Sequence, residues 1–203
     1  MIPPLTDRIS LLELANSRFP FPLTTVEIGV AGGHFTKQLV VSLKSLGALY
    51  CVDPWKHFEE GYEDSCNLSE KEQEDRFHQV TKDFALNERV IITRAMSHEA
   101  CRQFNQNTVD FIYLDANHSF TEVTRDLTCW WPILKPGGIF AGHDYYEGNA
   151  IGHGVKLAVD AFAKERGIEV HRTTSEFCRV EGVYGAGWEG FSFVLEKPTQ
   201  TAP

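Results

Sequence analysis

The sequence predicts an α/β fold, a three-layer sandwich built on a mostly parallel sheet. Three observations predict it. Apolar strand-like runs alternate with helix-periodic segments five times along the 203 residues, an order that calls for right-handed crossovers. The first strand, Val26-Glu27-Ile28, runs into Gly29-Val30-Ala31-Gly32-Gly33 and straight on into a helix. Such a turn lets backbone amides approach a ligand beside the positive end of a helix. Finally, the second and fourth strands end in acids, Asp53 and Asp115. An acid twenty residues beyond the glycine turn stands where the ribose hydroxyls of a nucleotide-like ligand are held. The three features together indicate a cofactor-binding enzyme.

Each element has a local reason. Thr6 and Asp7 offer caps for a first helix over Ile9, Leu12 and Leu14, which stops near Phe19-Pro20-Phe21-Pro22. After the strand at 25–28, Phe35, Leu39, Leu43 and Leu46 recur at helical spacing, with Gly47 as the stop. The second strand covers 48–52. Ser69 and Glu72 form a capping box for a helix that buries Phe77, Val80 and Phe84. A third strand at 90–92 leads to a helix opened by Ser97. Val109–Leu114 is the fourth strand, followed by a second capping box at Ser119 and Glu122, whose helix carries Phe120, Val123 and Leu127. Lys135–Gly138 reads as a turn and Ile139–Ala141 as the fifth strand. Val155, Val159 and Phe162 mark a helix ended by Gly167, and strands at 168–170 and 191–195 complete seven. No helix joins these last two, so the final strand is expected to be antiparallel in a Rossmann-like sheet.

Bulk properties narrow the class. At 42% hydrophobic and 23% charged, the chain suits one globular domain over 1–203. A net charge of −9 without a Lys/Arg cluster argues against a nucleic-acid partner. Five scattered cysteines, with no CxxC pair, read as reduced thiols of a cytoplasmic protein. No segment reads as a membrane span or secretory leader. The apolar first helix, outside the sheet, offers a face for a homodimer contact.

The glycine spacing discriminates between cofactors. A nicotinamide or flavin fingerprint counted from Gly29 needs glycines where Ala31 and His34 stand. The spacing acid-x-Gly-x-Gly-x-Gly fits better, through Glu27, Gly29, Ala31 and Gly33, with only the middle glycine replaced. With "VEIGVAGGHFTKQL", "CVDPW" and "VDFIYLDANHSFTEVTRDLTCWWPILKPGGIFAGHDY", the chain resembles a subgroup of small class I S-adenosylmethionine-dependent methyltransferases from Val26 to Leu195. The resemblance implies that Glu27 and the amides of Gly29 to Gly33, Ala31 among them, hold the methionine tail. Asp53 would accept two hydrogen bonds from the ribose diol, and Met96 and Ser97 would contact adenine. Trp55 would pack against the cofactor or wall off its pocket. The plainer readings are a strand-end acid for Glu27, a turn residue for Asp53 and a helix N-cap for Ser97.

Methyl transfer needs an acceptor lone pair held in line with the sulfonium–methyl bond, and a hydroxyl acceptor needs its proton removed or loosened. His118, three residues past Asp115, is the candidate general base; its plainer reading is a cap for the following helix. In the metal-dependent small-molecule O-methyltransferases that the chain resembles, the tips of the fourth and fifth strands hold a magnesium-type ion. The corresponding residues are Asp115, His143 and Asp144, where an imidazole in place of the usual acid moves preference from magnesium toward manganese, iron or zinc. The alternative gives Asp115 to the cofactor's amino group or the acceptor, and His143 and Asp144 to substrate. Segments 54–68 and 145–154 project over the same face and would select a small-molecule acceptor, with glycines 148, 152 and 154 giving freedom to close and Tyr184–Trp188 adding an aromatic wall. Two other classes compete: a Rossmann-type oxidoreductase, and a non-catalytic cofactor binder.

Overall fold

The computed structural model describes residues 2–62, 64–146, 153–174 and 191–199. Its sheet is β1 (Leu23–Ile28), β2 (Leu46–Asp53), β3 (Val90–Arg94), β4 (Val109–Leu114), β5 (Leu134–Gly142), β6 (His171–Arg172) and β7 (Phe193–Glu196). The strands lie in the order β3-β2-β1-β4-β5-β7-β6. β1 to β5 are mutually parallel, and β7 runs antiparallel to both β5 and β6. The seven-stranded, mostly parallel α/β sandwich is therefore present as expected, and its reversed strand is β7.

Helices α1 (Arg8–Arg18), α2 (His34–Ser42) and α3 (Glu70–Phe84) cover one face of the sheet. α4 (Ser97–Ala100), α5 (Phe120–Trp130) and α6 (His153–Arg166) cover the other. Side-chain alternation along the strands makes the division. Phe111, Tyr113, Ile139 and Ala141 face the first layer, whereas Ile112, Leu114 and Phe140 face the second. Every residue of β4 is buried, as a central strand covered on both sides must be. α1 turns its apolar stripe (Leu11, Leu12, Leu14 and Ala15) onto the sheet, so that stripe is not open to a partner.

Several local expectations are corrected. α2 stops at Ser42, because Leu46 and Gly47 begin β2, where Leu46 pairs with Leu23. Met96, not Ser97, is the N-cap of α4, a single turn that tightens into a 3-10 turn over Cys101–Gln103. The Ser119 box is half formed: Ser119 Oγ accepts the Glu122 amide, but Glu122 pairs with Arg125 and the Ser119 amide donates to Asn117 Oδ1. Phe120, expected on the packed side of α5, is about half exposed. Lys135–Gly138 lies within β5, and in place of the strand expected at 168–170 the two-residue β6 forms at His171–Arg172. Gly154 is helical, and a Cβ there would meet the His118 carbonyl at 2.4 Å, so it serves close packing of α6 rather than loop freedom. Gly148, Gly152 and the Tyr184–Trp188 turn fall outside the described residues.

The sheet reverses its order between β1 and β4, and the crevice at their carboxyl ends is where such sheets bind ligands. The glycine turn fills this point. Gly29, Ala31 and Gly33 all have left-handed φ (87°, 47° and 74°), which explains the acid-x-Gly-x-Gly-x-Gly spacing as one residue of αL conformation at every second position. A Cβ on Gly29 would lie 2.0 Å from the Asp115 carbonyl oxygen. Gly29→Ala should therefore cost about 3 kcal/mol or more in chemical denaturation, combining αL strain with a backbone clash. Ala31→Gly should range from neutral to about 1 kcal/mol stabilising, since relief of αL strain outweighs the added freedom of the unfolded chain. A loss of more than 1 kcal/mol at Ala31 would contradict this account of the turn.

Candidate active site at the carboxyl edge of the sheet

Asp53, at the tip of β2, clamps the glycine turn. Its Oδ2 accepts from the amides of Val30 and Ala31 at 2.9 Å each, and its Oδ1 accepts from the Trp55 amide at 2.7 Å. Burial pushes its pKa up, and the three backbone donors oppose that. A carboxylate has about four acceptor positions, so the expected pair of diol bonds meets a side chain already largely engaged. Trp55 is fully buried; its indole donates to the Ala31 carbonyl at 2.9 Å and packs on Phe77 of α3. It braces the turn from below, as core, rather than standing as an exposed pocket wall.

Glu27 lies beneath the same turn, buried, with its Oε2 accepting from the Thr36 hydroxyl at 2.6 Å. Burial raises its pKa to about 8; Thr36 opposes the shift, while the negative charges of Asp115 and Asp53 add to it. Near neutrality the folded protein thus holds a proton here that the unfolded chain has released. A group raised in this way contributes stability in full below about pH 4.5 and loses it as pH rises through about 8. Met96 stands half-buried at the β3 tip, but Ser97 Oγ accepts from the Trp130 indole at 2.8 Å and bonds to buried Asp126. The Ser97 hydroxyl is committed to the seam between α4 and α5.

The tips of β4 and β5 carry a charged cluster. His118 Nε2 lies 3.0 Å from Asp144 Oδ2 and 3.6 Å from Asp115 Oδ1. Its other nitrogen, Nδ1, is 3.1 Å from Asp64 Oδ2. His143 Nδ1 stands at the margin, 3.2 Å from Asp144 Oδ1 and 3.9 Å from Asp115 Oδ1. Arg8 of α1 reaches in from the other side, 3.9 Å from Asp115 Oδ2, and lies over the rings of Phe35 and Tyr113. Asp144 has a left-handed φ of 56°, a strained conformation that points its carboxylate inward.

The electrostatics revise the role of His118. Burial alone would lower its pKa, but Asp115, Asp144 and Asp64 outweigh that and push it up to about 12. Asp144 is held well below the usual carboxylate range by the two histidines against the pull of burial. Asp115 is lowered too: His143, His118 and Arg8 overcome burial. In this state the imidazole is a charged donor, which opposes the expected role of a free general base. Its Nε2–H is buried without a well-aligned acceptor despite the nearby carboxylates. Donor atoms of Asp115, His118 and Asp144 lie within 4.8 Å of one another, so a divalent ion would satisfy all three by replacing the proton. The set fits such an ion, with His118 rather than His143 as the imidazole among the converging donors.

Two contributors escaped the sequence reading. Asp64 sits in an aperiodic stretch, where only the Asp64-Ser65-Cys66 turn, closed by the Cys66 amide on Asp64 Oδ1, hints at order. Arg8 follows a helix cap, and nothing local distinguishes it from any surface arginine. The buried acid under the turn yields a pH signature. Between pH 5 and 8 the melting temperature of Glu27→Gln should decline less than that of the unmodified protein, and identical slopes would refute the buried proton.

Comparison with known proteins agrees with this geometry. A family model described as a methyltransferase domain matches residues 26–145, more than half of the chain. No curated protein sequence matches the chain. Among solved structures, an O-methyltransferase from Bacillus cereus in complex with SAH is 17% identical, with a TM-score of 0.63, over 94% of this chain and 80% of the other. A SAM-dependent O-methyltransferase from Thermotoga maritima is 16% identical, with a TM-score of 0.60, over 97% of this chain and 66% of the other. A SAM-dependent methyltransferase from Aquifex aeolicus is 17% identical, with a TM-score of 0.56, over 91% and 87%. At these identities the structures report a shared fold. No helix among the described residues is long and apolar enough to cross a membrane. With the family model spanning the glycine turn, the acid-tipped strands and the charged cluster, the chain belongs to the methyltransferase-domain family, as a class I S-adenosylmethionine-dependent methyltransferase.

Proposed function

We propose that the protein transfers the methyl group of S-adenosylmethionine to a hydroxyl oxygen of a small molecule, with a divalent ion held by Asp115, His118 and Asp144. One observation carries this reading: the converging donors of those residues adjoin the glycine turn at the switch point, with Gly29 against the Asp115 backbone. The cofactor's sulfonium and ammonium are cationic, and this edge of the sheet presents Glu27, Asp53, Asp64, Asp115 and Asp144. The O-methyltransferase neighbours support an oxygen acceptor as well.

The chain's own residues would divide the work. Asp53 keeps one acceptor position for a ribose hydroxyl while its other bonds hold the turn amides in place. Glu27, protonated when the pocket is empty, gains a reason to ionise beside a cationic tail. Met96 offers an apolar surface for the adenine, with Ser97 behind it supporting the α4 turn. Arg8 and His143 flank Asp115 and balance its charge. A divalent ion would supply Lewis acidity, lowering the pKa of an acceptor hydroxyl so that its proton passes to water; imidazole among the ligands favours manganese, iron or zinc over magnesium.

Calorimetry with S-adenosylhomocysteine tests the cofactor. Asp53→Ala should weaken binding tenfold or more, on the order of 1.5–3 kcal/mol for lost charged hydrogen bonds, and unchanged affinity would remove Asp53 from the cofactor site. Titration with Mn²⁺ tests the ion: binding should be measurable in the unmodified protein and at least tenfold weaker in His118→Ala. Methyl transfer that persists after exhaustive chelation would rule out an essential metal.

A further inference from the structure

The segment between β2 and α3 brings a carboxylate to the cluster from outside the sheet. It is organised by its own polar contacts. Asn67 Nδ2 donates to the carbonyls of Phe58 and Tyr62, Asn67 Oδ1 accepts the Phe58 amide, and His57 Nδ1 contacts the Leu68 carbonyl. Gln73 of α3 fastens the end by donating to the Cys66 carbonyl at 2.9 Å. Two contacts then tie this strap to the loop after β4: Asn117 Nδ2 donates to the Gly61 carbonyl at 3.1 Å, and Asp64 Oδ2 meets His118 Nδ1 at 3.1 Å.

The orientation of the His118 ring follows from these contacts. Asp64 has one oxygen fixed by the Cys66 amide at 2.7 Å, so its second oxygen is delivered to one edge of the ring. The opposite edge, Nε2, then faces Asp144 and Asp115. The backbone of the histidine is fixed from behind, since Gly154 of α6 leaves no room for a Cβ against the His118 carbonyl. A ligating imidazole needs a partner for its remote N–H, and such partners set both tautomer and ring direction. We propose that Asp64 is a positioning residue, which holds His118 with Nε2 turned toward Asp115 and Asp144 and so prepares the metal centre. The proposal rests on the methyltransferase reading above and adds the residue that prepares its centre.

A role confined to the turn with Cys66 makes a different forecast, because asparagine accepts the same amide bond.

The experiment compares Asp64→Asn and Asp64→Ala with the unmodified protein, each alone and combined with His118→Ala. Mn²⁺ affinity is read by calorimetry, and ring N–H resonances by ¹H–¹⁵N NMR assigned with His118→Gln. The unmodified protein should show a slowly exchanging downfield Nδ1–H of His118. Both Asp64 variants should lose that resonance and bind Mn²⁺ tenfold or more weakly, yet change Mn²⁺ affinity less than twofold once His118 is alanine. Wild-type Mn²⁺ affinity in Asp64→Asn, or an equal loss with and without His118, would overturn the proposal. So would a missing Nδ1–H resonance in the unmodified protein. A protein that shows the resonance, loses it in both variants and binds no Mn²⁺ supports the Asp64–His118 contact while removing the ion from the functional reading.

Discussion

The tip of β1 can sit against the tip of β4 only because residue 29 has no side chain. At that point backbone meets backbone, and the carbonyl of Asp115 occupies the space a Cβ would need. The ladder continues across the junction: the Gly29 amide donates to Val52, the Asp115 amide to Ile28 and the His143 amide to Leu114. Four strand ends are thereby brought into register at the one place where the strand order reverses. The turn amides, the Asp53 clamp and the histidine–aspartate cluster all inherit their positions from this junction. A looser contact would move Asp115 away from the turn and separate the cofactor edge from the chemistry.

Among the described residues five acids gather at this edge, and like charges so close must be neutralised or separated. The protein does so differently at each position. Glu27, deepest, keeps a proton. Asp53 is surrounded by backbone amides, whose partial charges belong to the fold. Asp64, Asp115 and Asp144 share an imidazolium, with His143 and Arg8 at the margin. The first two solutions are fixed by folding, whereas the third depends on a mobile proton that a divalent cation can replace.

Most of the frame was legible in the chain because it rests on local rules. Helical spacing located α3 and α5, and continuous apolar runs located β4 to the residue. The glycine spacing coincides with three αL residues, alanine adopting the middle one. Errors arose where tertiary contact overrode a local signal. Gly47 reads as a helix stop yet serves the start of β2, and Ser97 reads as a cap yet turns its hydroxyl to Trp130. The candidate site was legible as far as strand tips reach: the placement of Asp53, Asp115, His143 and Asp144 follows from strand endings. Asp64 and Arg8 were not, since each arrives from an element whose path over the sheet no local pattern encodes.

His118 shows how such an arrival changes chemistry. Judged by sequence neighbours, a histidine beside a cofactor suggests a base with an ordinary pKa. One carboxylate from β4, one from β5 and a third from the strap convert it into a cation, hydrogen-bonded at Nδ1 and flanked by carboxylates at Nε2. A charged residue in that setting is poorly suited to shuttling protons; on the proposed reading it would instead present a nitrogen lone pair, with a metal in place of the proton. The three carboxylates that disqualify it as a free base are those expected around a preorganised ligand: two to share the ion, and one to hold the ring from behind.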